Sequence, residues 1–109
     1  MILVSLLDCV FSSTNPSTEI QMAGHQLIGL ITPGTLTSTA ITFQASNVSG
    51  GTFVPVKDKT GAAISLTVTT SSYYALDPNL IQAPVIKLVP GSSEGAARTI
   101  IVVLKPVLS

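Results

Sequence analysis

The chain has 109 residues, enough for one domain, with 46% apolar and only 9% charged residues, and five Lys/Arg offset by five Asp/Glu for a formal net charge of zero. Its cations are scattered at Lys57, Lys59, Lys87, Arg98 and Lys105. A phosphate-binding surface needs clustered cations to release counterions, so a nucleic-acid partner is excluded. The single cysteine, Cys9, rules out an internal disulfide and reads as a small buried apolar residue.

Ordinary globular chains carry about 25% charged residues. Here 13 Ser and 13 Thr take their place. A neutral, hydroxyl-rich, apolar chain lacks the charge that keeps isolated domains apart, which suggests a surface covered by neighbours.

The chain opens on "MILVSLLDCVF". This run has no basic flank, and Asp8 interrupts it well short of the about 20 apolar residues of a membrane span, so neither a targeting segment nor a membrane partner is expected. Residues 1–13 read as an apolar arm or edge strand, with Ile2, Leu3, Val4, Leu6 and Leu7 as candidate contact residues. Residues 14–109 read as one β-sandwich domain. "EIQMAG" (Glu19–Gly24) and "HQLIGLIT" (His25–Thr32) are the next strand candidates, the second weakened by Gly29. "TPGT" predicts a type II turn with Gly34 at positive φ. Ile41, Phe43 and Ala45 alternate with Thr42 and Gln44; Thr52, Val54 and Val56 alternate with Phe53, Pro55 and Lys57; Ile64, Leu66 and Val68 alternate with Ser65, Thr67 and Thr69. A period of two in β-branched and aromatic residues is a strand signal. Gly50-Gly51 and "KDKTG" ending at Gly61 supply the turns between these runs.

Tyr73 and Tyr74 are adjacent, so in a strand their rings point to opposite faces. Both are candidate interface residues, one as a core anchor and the other facing a partner. "LDPNLIQ" gives the one helical signal, a short turn over Asp77–Gln82 with Asp77 as N-cap and Pro78 in first position. "VIKLV" (Val85–Val89) is a strand. "RTIIVVLKPV" (Arg98–Val107) is a continuous apolar run, read as a strand buried on both faces or sandwiched under a partner, with Ile100, Val102 and Leu104 toward the core and Ile101 and Val103 toward either the second layer or a partner. Seven or eight short strands separated by turns predict an all-β, antiparallel, jelly-roll-like sandwich.

Chemistry is sparse. His25 is the only histidine and stands sixteen residues from Cys9. Asp8, Glu19, Asp58, Asp77 and Glu94 are isolated from one another in sequence. No metal-ligand spacing, nucleophile elbow or phosphate loop occurs. No catalytic, metal or cofactor-binding residues are assigned, no cofactor is expected, and the reading is that of a protein that is not an enzyme.

The pattern "ITFQASNVSGGTFVPV…YALDP…IKLV…RTIIVVLKPV", spanning about Thr39 to Val107, resembles small virion structural proteins of tailed bacteriophages, the β-sandwich decoration or cement type. That resemblance implies a homo-oligomer, commonly a trimer, on the outer capsid surface. There it would bind the major capsid protein and itself, and stabilise the shell by mass action. The alternative is a tail- or fibre-associated module for host recognition or carbohydrate binding. It ranks second because the chain has no Trp and few acids. A small hydrolase ranks third.

Overall fold

Alternating burial places the strands. In the run Ala40–Ser46, Ile41 and Phe43 are fully covered while Thr42 and Gln44 between them stay half-exposed. The same alternation recurs along the chain, and the computed structural model, which describes residues 4–22 and 24–107, contains nine strands and no helix among them. They are β1 (Ser5–Ser13), β2 (Ile20–Gln21), β3 (His25–Ile31), β4 (Ala40–Ser46), β5 (Val54–Pro55), β6 (Ser65–Thr67), β7 (Tyr73–Ala75), β8 (Val85–Pro90) and β9 (Glu94–Pro106).

One sheet has the order β1-β9-β3-β7; the other runs β2-β8-β4, with β5 and β6 both on the far side of β4. Every strand pairing is antiparallel. The chain behaves as one long hairpin: β1 meets β9, β2 meets β8, β3 meets β7, and β4 meets β5 and β6. That hairpin is rolled so that β9 also pairs with β3 and β8 with β4. This connectivity is a jelly roll, as the turn spacing predicts.

The two inner faces meet in a core built from Phe11, Ile20, Leu30, Ile41, Phe43, Ile86, Leu88, Ile100 and Val102, all at most 2% exposed. Burying each such side chain contributes about 1.5–3 kcal/mol, which is what holds two thin sheets together without an internal disulfide. The apolar run in β9 is read correctly by parity. Ile100, Val102 and Leu104 face the core, while Ile101 and Val103 sit on the opposite face. The strand starts earlier than its apolar residues suggest, at Glu94.

That early start has a cause. Glu94 is 3% exposed, and its carboxylate accepts the Thr37 N–H (2.9 Å), the Ser38 N–H (2.6 Å), the Ser38 hydroxyl (2.6 Å) and Arg98 Nε–H (3.0 Å). The Ser38 hydroxyl oxygen in turn accepts the Ser92 N–H at 3.2 Å, and the Ser92 carbonyl lies 3.1 Å away as the weaker alternative acceptor of its one proton. The loop between β3 and β4 is thereby tied to the start of β9.

Three expectations are corrected. The helical turn over Asp77–Gln82 is a single hydrogen-bonded turn instead: Asp77 does cap, accepting the Asn79 N–H at 2.9 Å, and its carbonyl accepts the Leu80 N–H at 2.9 Å. The chain then departs because Ile81, 3% exposed, drops into the core before Pro84, and one turn cannot nucleate a helix. Gly34 is not at positive φ; Gly24, Gly50 and Gly61 are. The Pro33 carbonyl accepts the Ser71 N–H, and the Thr32 hydroxyl donates to the Thr69 carbonyl. Long-range bonds, not local turn chemistry, set that loop. Finally, Thr52–Lys57 is not one strand. Val54–Pro55 pairs with β4, the Val56 N–H reaches the Phe43 carbonyl at 3.0 Å, and an isolated bridge then joins Lys57 to Ala63. Pro55 lacks the N–H a longer ladder needs. The "KDKTG" turn closes as predicted, with Gly61 at φ 89° and its N–H on the Asp58 carbonyl.

Candidate interaction surface

The outer face of the β1-β9-β3-β7 sheet is apolar. Register across it aligns Leu6 with Val103 and Gly29, and Asp8 with Ile101 and Ile31. Tyr73 lies beyond Ile31 and Ala75 beyond Gly29. Val4 and Val10 continue the row along β1. Val4, Leu6, Val10 and Tyr73 are 54%, 65%, 38% and 56% exposed. Val103 is 5% exposed at the centre of this face but is not part of the core cluster.

Gly29 is what allows the aromatic ring onto the face. A Cβ there would lie 2.5 Å from the Tyr73 hydroxyl and 2.7 Å from its ring. Tyr73 therefore folds flat across β3 over a strand glycine. Replacing Gly29 with alanine is expected to displace the ring outward with a stability change within about 1 kcal/mol, because the obstructing atoms are the movable end of a side chain. A ring shift in the NMR spectrum at nearly constant melting temperature checks this.

The candidate contact residues of the sequence thus divide. Val4, Leu6 and Tyr73 share the outer face. Leu7, 38% exposed, has core-side parity at the end of β1. Tyr74 packs against the core, and its hydroxyl accepts the Thr69 N–H at 2.7 Å. Ile2 and Leu3 lie outside the described residues. β1 is an edge strand, but it is no mere appendage: Cys9 and Phe11 are in the core. Ile101 and Val103, which the sequence turns away from the core toward a second layer or a partner, lie on it as well; sequence reasoning missed Val10 and Ile31 as members of the face. Strand parity carried that signal once β1 and β9 were aligned.

The edge itself is unusual. Three of the sandwich's four sheet margins end in strands of two or three residues: β7, β2, and the β5/β6 pair. Short edge strands are a common protection against unwanted pairing. The fourth margin is β1, nine residues long. Among the described residues, only its far end is hydrogen-bonded on that side, where the Thr18 N–H donates to the Val10 carbonyl at 3.3 Å. In an antiparallel strand, N–H and C=O of alternate residues point the same way. The Val10 bond therefore fixes the parity: backbone groups of Val4, Leu6 and Asp8 point to the open side, while those of Ser5, Leu7 and Cys9 face β9.

Little reactive chemistry accompanies this surface. Burial pushes the Cys9 thiol up to about 11, so it is not a nucleophile at neutral pH. Among the described residues, no group of three or more His, Cys, Asp or Glu is placed to hold a metal ion. His25 begins β3 opposite Pro106. An open groove of about 980 Å³ on the other side of the sandwich is lined by Lys57, Asp58, Lys59, Asp77, Asn79 and Gln82 over Val56, Ile64 and Ile81. No aromatic ring lines it. Asp58 is already committed to its turn, accepting the Thr60 and Ala62 N–H groups, which with the Thr60 hydroxyl hold its carboxyl below the ordinary range.

The protein is a jelly-roll sandwich with one open edge and one apolar outer face. Its fold is similar to that in the crystal structure of the SPBc2 prophage-derived protein YomS, with a TM-score of 0.59, 16% identity and 96% of each chain covered. The likeness is one of fold. No protein-family model matches the chain, and no curated protein matches it.

Proposed function

We propose that this chain is a structural, non-enzymatic protein of a tailed-phage particle, and that it decorates the outer capsid by binding major capsid protein subunits and copies of itself. The observation that carries this reading is the outer face of the β1-β9-β3-β7 sheet: a mainly apolar surface, with Asp8 and Lys105 as its charges on β1 and β9, ending in a long open strand, on a chain with 9% charged residues. Exposed apolar surface of this kind marks an interaction site. The similarity in fold to a prophage-derived protein is consistent with a phage setting. Binding the assembled shell but not its dissociated subunits would stabilise it by mass action, with no titratable group required.

The face supplies both components of a protein contact. Tyr73 is a large aromatic anchor of the type enriched at hot spots, beside Ile31 at one margin of the sheet, and Ile101, Val103, Leu6 and Val10 extend the apolar area across to the other margin. Carbohydrate recognition on a tail or fibre is the weaker reading, because the groove over Val56, Ile64 and Ile81 lacks a ring on which a sugar could stack.

The test is co-sedimentation of purified protein with assembled empty shells. Wild-type protein is expected to pellet with shells. Tyr73→Glu is expected to stay in the supernatant while retaining its melting temperature within a few degrees, as for loss of an anchor worth about 2 kcal/mol or more. Equal binding by the variant would move the contact away from this face. No binding by the wild type, together with retention on a glycan array, would favour the tail reading.

A further inference from the structure

We infer that the open edge of β1 pairs with β1 of a second copy, antiparallel about a two-fold axis at Leu6, joining two four-stranded sheets into one. The inference deepens the reading above by specifying the self-contact.

The register follows from three observations. First, the residues whose backbone groups point to the open side are Val4, Leu6 and Asp8, because the Val10 carbonyl that fixes their parity is bonded to Thr18 on that side. A pairing centred on Leu6 sets Leu6 against Leu6, Val4 against Asp8 and Asp8 against Val4 of the other copy. It uses all three open residues and makes about six main-chain hydrogen bonds. Secondly, the neighbouring registers do less well: centring on Ser5 pairs only Val4 with Leu6 among the described residues, for about four main-chain bonds, and the registers on the other side conflict with the structure. Centring on Leu7 brings Val10 opposite Val4, where the Val10 carbonyl is already engaged by Thr18. Centring on Asp8 sets two carboxylates directly against each other, an arrangement that destabilises a sheet.

The third observation is charge. Continuing the β1–β9 register by one step past Ser5–Leu104 places Lys105 beside Val4, with Lys105 on the outer face like Ile101 and Val103. In the Leu6-centred pair, Asp8 of the second copy lies on the other side of Val4. The row across the joined sheet therefore reads Lys105, Val4, Asp8 of the second copy, with all three side chains on one face. A lysine stem can lie along Val4 and bring its ammonium to that carboxylate. The two-fold axis makes this ion pair twice. Asp8 and Lys105 are the charged residues on the outer face of β1 and β9, and this register is the one that matches them. The same operation joins the two apolar outer faces edge to edge at the exposed Leu6 pair. A trimer, as the phage resemblance implies, requires a different edge contact and has no matching second long edge among the described strands.

The experiment combines a mass measurement with a register probe, using the full chain. Light scattering at micromolar concentration is expected to give twice the chain mass. Leu6→Cys is expected to form an intermolecular disulfide on mild oxidation, because facing residues of a hydrogen-bonded pair have Cα atoms about 5.5 Å apart, within disulfide range. Val10→Cys is expected not to. Native Cys9, buried on the core side, does not interfere. Asp8→Lys and Lys105→Asp are each expected to weaken association on the order of tenfold, and the double variant to restore it. A monomeric or trimeric mass, cross-linking at position 10 and not 6, or no rescue by the double variant would each overturn the inference. Shell binding by a monomer with an intact outer face would leave the proposed function standing, so the two fail separately.

Discussion

Replacing Glu94 with alanine is expected to cost about 3–5 kcal/mol of folding stability, lowering the melting temperature by about 15–20 °C. The variant strands the Thr37 and Ser38 N–H groups and the Arg98 guanidinium in a site where Glu94 is 3% exposed, and leaves the Ser38 hydroxyl only the longer bond to the Ser92 carbonyl. An unpaired buried donor costs more than its hydrogen bond contributed. The same carboxylate makes the fold acid-sensitive. Burial alone would raise its pKa, but hydrogen bonds from Ser38, Thr37 and Arg98 outweigh burial and hold it at about 2, against an ordinary 4.5. Because the folded value is depressed, the stabilisation is complete above about pH 4.5 and drains away as pH falls toward 2. Its size is about 3 kcal/mol, from the shift of roughly 2.5 pH units. Thermal unfolding between pH 6 and pH 2 should show the wild type losing more stability than Glu94→Gln; parallel curves would refute this account of the cluster.

Phe11→Ala is expected to cost about 3–5 kcal/mol, the range for emptying a buried aromatic site. Phe11 is 2% exposed and sits among the core residues contributed by both sheets. Denaturant unfolding gives the value directly, and a loss below about 1 kcal/mol would mean that β1 is peripheral to the fold. Deleting Met1–Leu7 is a milder operation. It spares Cys9 and Phe11 but removes the Ser5–Leu7 pairing with Val102–Leu104 and the open edge with it. The truncated chain should therefore fold less stably and fail to self-associate.

The fold was legible in the sequence wherever one face of a strand is buried and the other is not. Ile41 and Phe43 in β4, and Ile100, Val102 and Leu104 in β9, state their orientation by alternation alone. Tyr73 and Tyr74 divide between faces because adjacent residues in a strand must. What stayed hidden depends on contacts distant in the chain. Nothing in "GSSEGAAR" marks Glu94 as buried, since its donors lie 56 and 57 residues away at Ser38 and Thr37. Asp77 was correctly read as a capping residue, but the pull of Ile81 into the core, which ends the turn, is a tertiary effect. The apolar face was only partly legible. Val4, Leu6 and Tyr73 could be picked as apolar or aromatic, yet their coming together on one surface requires the β1-β9-β3-β7 order. Three short edges beside one long one are likewise a property of the assembled sandwich.

The central claim is that this chain acts by surface contact on a phage shell, through the outer face that carries Leu6, Ile101 and Tyr73. A cryo-EM map of the particle that contains this protein tests it most directly. The account predicts jelly-roll density on the outside of the capsid, with the β1-β9-β3-β7 sheet turned toward its neighbours and little solvent at Tyr73. Density confined to the tail, or a capsid-bound copy with that sheet facing open solvent, would contradict it.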